Sequence, residues 1–528
     1  MKKRIIALSV AAALGGAAGV ASAQVPPAGS LEFNPDGVGH ILIIPYFNVQ
    51  SGNATLFSIV NTDQVYGKAL KIRFRGASNS DDVFDFQLFM SPGDRWSANV
   101  SQGANGLAKL ETGDRSCTLP SSVNQSFITT RLNTTDLSGD ALANETREGY
   151  VEILNMGDIP SLSGTTSVWF ATKHNSAGVA PCASATISGI PVLETLTQGD
   201  TRLLVPTTGL MANWLIINVP NTTTWSGDAA AIEARSNGLP GYGRNVFWPQ
   251  RADSLALAGY DIDDYTADAL FQAGVVDGAY YDLPDLSTPY IPGNSCPFCQ
   301  ANELSDSLAT RAVAGEYISS ASINATTDWV VSKPTRRYYV GVDYLGTTAA
   351  ERLVTNYDDN SESEGFYYRS ALTDKIDSNA GNTVMGTGPT GNGGKTYQAC
   401  TQVTGAVFYN SEELRPAPGG IVISPGVPAP APSLCGEISV LGINSAVSPL
   451  GASVSRFNVT LPAGFSDGWG LVTANNLFQG RNLGLPMLVT QFTKATNPAA
   501  QPGVSGTYGA NWSGRVVTRG DRHPLLPR

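Results

Sequence analysis

The chain has 528 residues, too many for one ordinary core, so two to four domains are expected. Only 15% of its residues are charged, below the ~25% usual for soluble domains, and acidic residues outnumber basic ones by 44 to 33. Nothing in that balance favours a nucleic-acid partner, whose binding needs clustered Lys and Arg. Past the N-terminus no stretch reaches the ~18 consecutive apolar residues of a membrane-spanning helix.

Residues 1–23 read as a secretory signal peptide: Lys2, Lys3 and Arg4, an apolar run from Ile5 to Val20, then Ala21-Ser22-Ala23 before Gln24. Gln24 in place of Cys argues against a lipid anchor. Removing the leader takes away three basic residues and leaves a formal charge of −14 on about 505 residues. Export delivers Cys117, Cys182, Cys296, Cys299, Cys400 and Cys435 to an oxidising compartment. The expected disulfides join sequence neighbours: Cys117 with Cys182, Cys296 with Cys299, Cys400 with Cys435.

Residues 24–200 alternate short strand-like runs with turns and are expected to form an N-terminal β-sandwich domain. The runs are His40–Phe47, Thr55–Asn61, Leu70–Arg75, Val83–Phe89 and Trp96–Val100. Leu70–Phe74 and Phe84–Phe89 alternate apolar and polar residues, the period of a half-buried strand. Spacing of about ten residues, with Gly, Asn and Pro turns between, suggests an immunoglobulin-like sandwich. Four aliphatic runs close on Asn: Leu56–Asn61, Tyr150–Asn155, Trp214–Asn218 and Trp469–Asn475. Asn there can bond the backbone of a turn. The pattern reads either as a weak internal repeat or as the ordinary taste of strand ends for Asn.

Residues 201–415 form a mixed, β-rich middle domain, with helices expected at Asp228–Arg235, Ala267–Ala273 and Glu303–Tyr317. Between Asp377 and Lys395 lies a Gly- and Asn-rich loop. Residues 416–435 are a proline-rich connector, bracketed by Cys400 and Cys435. Residues 436–528 return to strand-like alternation at Val454–Leu461, Trp469–Thr473 and Pro486–Phe492. The fold class is therefore mainly β, with two or more immunoglobulin-like sandwiches and a few short helices in the middle section.

Chemical motifs are sparse. Cys296-Pro-Phe-Cys299 has the spacing of a redox pair, but it follows a loop rather than a core strand, and a structural staple is the simpler reading. Gly464-Phe-Ser-Asp-Gly468 matches a nucleophile elbow by letter, yet the elbow needs a helix after the serine, and Trp469–Thr473 continues as a strand. A hydrolase base must come from His40, His174 or His523, and His523 lies near a chain end where order is usually lost. Gly391–Thr396 lacks the first glycine of a phosphate-binding loop. The acidic runs Asp261–Asp264 and Asp358–Glu364 carry hard oxygen ligands. Asp358, Asp359, Asn360 and Glu362 are the weak candidates for Ca²⁺, against the simpler reading of solvated loops. No catalytic residue and no other cofactor is expected. Arg519-Gly-Asp521 is read as a chance tripeptide.

Gly149-Tyr-Val-Glu-Ile153, Thr327–Pro334, Phe408–Glu413 and Gly484–Met487, with Leu70–Val100, carry a resemblance. Together they resemble a largely uncharacterised family of exported or cell-surface β-rich proteins of Gram-negative bacteria. The resemblance implies an exported, β-rich protein and supplies no site residue.

The expected function is that of a non-enzymatic cell-envelope or extracellular β-protein with a structural, surface-coat or adhesive role, the cell surface being favoured over the periplasm. Its expected partners are its own copies, other surface components or glycans, with no nucleic acid and no transmembrane helix. The alternative is a secreted or periplasmic glycan-binding or glycan-hydrolysing protein, with Trp96, Trp214, Trp225, Trp248, Trp329 and Trp512 as platforms or as core. An outer-membrane β-barrel is the lesser alternative.

Overall fold

The alternation of apolar and polar residues in the first third becomes strands at nearly every expected run. The computed structural model describes residues 25–162, 164–191, 202–250, 283–293, 297–347, 353–354, 375–377, 398–415 and 432–523. The leader, Cys296, the helix expected at 267–273, the acidic runs, residues 391–396 and most of the proline-rich connector lie outside them.

The N-terminal strands are β1 (Ser30–Asn34), β2 (Ile41–Asn48), β3 (Asn53–Asn61), β4 (Gly67–Gly76), β5 (Asp82–Met90), β6 (Arg95–Gln102), β7 (Ala108–Glu111), β8 (Cys117–Leu119) and β9 (Glu148–Ile159). Three more follow: β10 (Leu210–Asn218), β11 (Thr223–Asp228) and β12 (Ala230–Ser236). They build a large antiparallel sheet in the order β1-β12-β2-β9-β4-β5-β8 and a smaller one in the order β11-β10-β3-β6-β7. Aromatic side chains join the sheets face to face. Phe57 on β3 meets Phe74 on β4 at 5.6 Å, and Trp96 on β6 meets Phe86 on β5 at 5.6 Å.

The second half contributes β13 (Ala309–Ile318), β14 (Thr326–Ser332), β15 (Gly405–Asn410), β16 (Ile438–Ile443), β17 (Ser455–Val459), β18 (Asp467–Thr473), β19 (Leu488–Gln501), β20 (Val504–Ser513) and β21 (Arg515–Arg519). One sheet runs β15-β18-β13, with Leu485–Pro486 and β21 also paired to β13. The other runs β17-β16-β14-β19-β20. Between them Trp329 on β14 lies 6.0 Å from Phe408 on β15. Gly315 on β13 and Gly470 on β18 face that indole: a Cβ at Gly315 would stand 2.9 Å from it, and one at Gly470 3.2 Å. The bulk of Trp329 is thus accommodated by two residues without side chains.

The fold is mainly β, as the sequence implies. Among the described residues every main sheet is an open path with edge strands, whereas a membrane barrel closes on itself. No helix among them is long and apolar enough to cross a membrane. Strands from both sides of residue 200 share the same sheets, because β10, β11 and β12 complete the two N-terminal ones.

Two expected helices are corrected. Asp228–Arg235, rich in Ala, is strand at β12, which pairs with β1 on one edge and β2 on the other. Hydrogen-bond partners on both edges outweigh the helical preference of alanine. At Glu303–Tyr317 only the first part is helical. Helix α4 (Pro297–Leu308), the fourth after α1 (Gly139–Asn144), α2 (Val168–Thr172) and α3 (Ser184–Ser188), ends at Leu308, and β13 begins at the next residue.

Two expected disulfides are present, Cys117–Cys182 and Cys400–Cys435, the latter between register partners of a short antiparallel pair. Cys299, on α4, is also disulfide-bonded.

Phe74 lies 5.6 Å from Phe47, 5.6 Å from Phe57 and 4.9 Å from Phe127, at the centre of the N-terminal aromatic core. Phe74→Ala is expected to lower unfolding free energy by about 3–5 kcal/mol in a urea titration, because the rigid surrounding rings close the cavity only in part.

Candidate functional site

On β4 the apolar Leu70, Ile72 and Phe74 point into the sandwich and the basic Lys71, Arg73 and Arg75 point away. Period-two alternation suggests that the basic face meets water. Instead every residue of β4 is buried. The neighbouring strands bring matching acids to the same face: Arg73 is opposite Glu152 on β9 and Asp85 on β5. The outer layer is formed by residues 283–291 and 333–342, which arrive from later in the chain.

The resulting charge layer is dense. Arg73 Nε lies 3.2 Å from Asp82 and Arg131 lies 3.5 Å from the same carboxylate. Arg75 pairs with Glu152 at 3.3 Å and Asp285 at 3.7 Å, and Lys71 pairs with Asp85. Arg75 and Arg337 both donate to the Ser80 carbonyl, at 3.4 and 3.0 Å. From the second half, Arg336 pairs with Glu437 at 3.2 Å and donates to the Ala399 carbonyl, while Lys333 donates to Ser439 Oγ at 2.9 Å. At the far end of β4, Lys68 is held between Asp158 at 2.9 Å and Asp63 at 3.1 Å. Burial pushes the carboxyls of Glu152, Asp158 and Glu437 upward, opposed by Arg75, Lys68 and Arg336 respectively.

A second polar cluster joins the halves at β2. Tyr46 donates to Glu148 at 2.6 Å, and the backbone N–H of Ser453 donates to the other Glu148 oxygen at 2.8 Å. Asn53 donates to the Leu450 carbonyl at 2.7 Å. These groups hold secondary structure and chain crossings in place. Tyr46, Asn53 and Glu148 are themselves buried.

The histidines have similar roles. His40 is buried, accepts from the Ala234 N–H at Nδ1 and contacts the Gly241 carbonyl through Nε2, and burial lowers its pKa to about 3. His174 sits 3.2 Å from Ser91 Oγ and 3.6 Å from Asp94. His523 departs from the expectation of a loose chain end. It is buried, its N–H donates to Asp306 at 2.8 Å, and its ring stacks on Phe478. The elbow-like Ser466 lies in an exposed loop that leads into β18, with no helix after it. In the tripeptide 519–521, Asp521 accepts from the Asn482 N–H and the Arg519 guanidinium lies 4.9 Å from the Phe33 ring centre. Of the asparagines expected to close strands, Asn61 and Asn218 end β3 and β10 and accept from the turn N–H groups of Asp63 and Asn221, whereas Asn155 lies inside β9 and accepts from Gly157 N–H, and Asn475 accepts from the Asn482 side-chain amide.

The Ca²⁺ candidates Asp358, Asp359, Asn360 and Glu362 lie outside the described residues, as does Cys296 of the possible redox pair. No group of three or more potential metal ligands occurs among the described residues. Of the six tryptophans considered as platforms, Trp96, Trp214, Trp225, Trp248 and Trp329 are buried core, which removes them as sugar-stacking surfaces. Trp512 is exposed. So is Trp469, at 41%, which the platform reading omitted.

Among the described residues, a cleft and a sheet exterior are two of the open surfaces. A cleft of about 380 Å³ lies between the halves, with Phe33, Trp214 and Met487 among its apolar walls and Asp36, Asp228 and Arg519 at its polar margin. Sites between domains commonly have this mixture of apolar wall and a few polar groups. The second is the outside of the C-terminal sandwich. There β19 pairs with β14 only from Leu488 to Lys494, and Ala495–Gln501 continues with β20 as a two-stranded ribbon. Tyr508 is 60% exposed, Val517 59%, and every residue of β21 faces solvent.

Comparison with protein-family models, with curated proteins and with solved structures finds no match.

Arg75→Met leaves Glu152 and Asp285 buried without their guanidinium and is expected to cost about 3–5 kcal/mol in a urea titration. Adding Glu152→Leu should recover part of that loss, because the second change removes a stranded charge.

Like Asp306, whose carboxyl burial also raises to about 7, Asp81 is a buried pH-dependent group. Burial raises its pKa to about 7, against the hydrogen bond from Tyr344 and with the help of Glu145. The folded state therefore holds this proton more tightly than the unfolded state, so its contribution to stability is full below pH ~4, falls through the interval to pH ~7 and is absent above. Asp81→Asn should flatten that fall, so its stability relative to the unmodified chain should rise between pH 4.5 and 7.5 in urea titrations.

Proposed function

We propose that this chain is a non-enzymatic β-protein of the cell envelope or exterior, exported by residues 1–23, with a structural or adhesive role and with immunoglobulin-like sandwiches as its scaffold. The observation that carries this reading is the exposed edge of the C-terminal sandwich. An edge strand presents unpaired backbone N–H and C=O groups, and proteins that must stay solitary protect such edges with charge, proline or cover. Here β20 adds Val504, Tyr508 and Trp512, and β21 adds Val516 and Val517, all exposed. Apolar side chains beside an open edge suit association with another chain, whether a second copy or another surface component.

The disulfides support an oxidising, extracytoplasmic setting. The charge layer supports a structural role, because Arg75 with Asp285 and Arg337 with the Ser80 carbonyl fasten the second half of the chain to the first through buried groups.

Trypsin shaving of intact cells tests the reading. The exposed ribbon and its neighbours should release the peptide Ala495–Arg515, bounded by Lys494 and Arg515, into the shaved fraction. Recovery of that peptide only after the outer membrane is opened would overturn the surface placement, and substrate turnover by the purified chain would overturn the non-enzymatic one.

A further inference from the structure

The outer face of the sheet β15-β18-β13 is assembled by its register. Tyr409 on β15 is opposite Trp469 on β18, which is opposite Glu316 on β13. One residue along, Phe408, Gly470 and Gly315 occupy the inner face and pack on Trp329. The core therefore fixes which side chains look outward. Tyr409 and Trp469 stack with ring centres 4.4 Å apart and planes 9° from parallel. On the Tyr409 side, the Arg415 guanidinium lies 4.8 Å from the ring centre and donates to the phenol oxygen. Trp469 remains 41% exposed. Two residues further along the strands, Ala314 is opposite Arg515, which is exposed.

We propose that this face binds a neutral glycan of equatorially linked pyranose rings, with Trp469 as the stacking platform. The inference rests on the adhesive reading above and names its ligand class. A pyranose of that type has one face of C–H bonds and a rim of hydroxyls. The C–H face suits an exposed indole, whose π-cloud attracts the weakly positive hydrogens. The rim needs both acceptors and donors. The Glu316 carboxylate supplies the first, with no cation paired to it among the described residues, and Arg415 and Arg515 supply the second.

Other partners fit this chemistry less well. A flat apolar protein surface would bury Glu316 without compensation. A nucleic acid would stack on Trp469 but bring phosphates to an acidic chain. A stacked Trp–Tyr pair also strengthens a sheet, so the test separates binding from stability.

The purified full chain is titrated with hexasaccharides of β-1,4-linked glucose and of β-1,4-linked N-acetylglucosamine, followed by tryptophan fluorescence and calorimetry. Saturable binding of at least one sugar is expected, with a fluorescence change. Trp469→Ala should weaken it about tenfold or more, Trp469→Tyr should retain most of it, and Trp512→Ala should leave it unchanged. No saturable binding of either sugar by the unmodified chain, or undiminished binding by Trp469→Ala, overturns the proposal. Trp469→Ala that loses binding while its melting transition stays put excludes a merely structural role for the indole. If Trp469→Ala does not fold, undiminished binding by Glu316→Gln together with lost binding by Trp512→Ala overturns it instead. Glycan binding by a chain that shaving places inside the outer membrane would retain the platform and remove the surface reading. A shaved, surface-exposed chain that binds neither sugar would do the reverse.

Discussion

Arg73 and Arg75 can be buried only because the same sheet face delivers the carboxylates that neutralise them. A guanidinium moved from water into a protein interior loses several kcal/mol of hydration, and only close, hydrogen-bonded partners restore it. Here the partners come from both sides of the layer: Asp82 and Glu152 from the sheet itself, Asp285 from the segment laid over it. The second half of the chain must dock in one register for this to work, because a shift would strand charges in a low-dielectric interior. Fit between the halves is thus specified electrostatically as well as by shape.

The constraint extends outward from β4. Once residues 333–342 are held by Arg336 and Arg337 on Glu437 and Ser80, β14 follows within the same chain segment, and its Trp329 decides the inner face of the opposing sheet. Gly315 and Gly470 accommodate that indole, and the residues next to them, Glu316 and Trp469, are thereby turned to solvent. The proposed glycan platform is in this sense a by-product of core packing: the same alternation that buries one row presents the next.

Apolar contacts complete the joint where charge does not reach. Phe492 on β19 packs against Tyr46, Trp214 and Trp225 of the first half, and Trp225 Nε1 donates to the Thr493 carbonyl at 3.0 Å. Asn511 on β20 bonds both the N–H and the C=O of Ser226 on β11, at 2.9 and 2.6 Å. One side chain there performs the exchange that two paired strands would make, so the β11 edge of one sheet and the β20 edge of the other meet at a seam. This leaves the free part of β20 and the whole of β21 as open edges.

The sequence by itself determined the class of object. Alternation at Leu70–Phe74 and Phe84–Phe89 marks strands because side chains on a pleated backbone change face at each residue, and that local geometry needs no partner to be read. The neighbouring cysteines at 117 and 182, and at 400 and 435, were legible as pairs from spacing and count. What alternation does not carry is the identity of what lies over each face. The basic row of β4 looked solvent-facing until a segment over 200 residues away covered it. The alanine-rich run at β12 looked helical until β1 and β2 offered backbone partners on both edges. Six tryptophans were alike as letters, and only tertiary packing separated five core rings from Trp512 and pointed to Trp469 instead. Local chemistry fixes the period of a strand, whereas burial is a property of distant contacts, and for this chain burial decided which residues are support and which are surface.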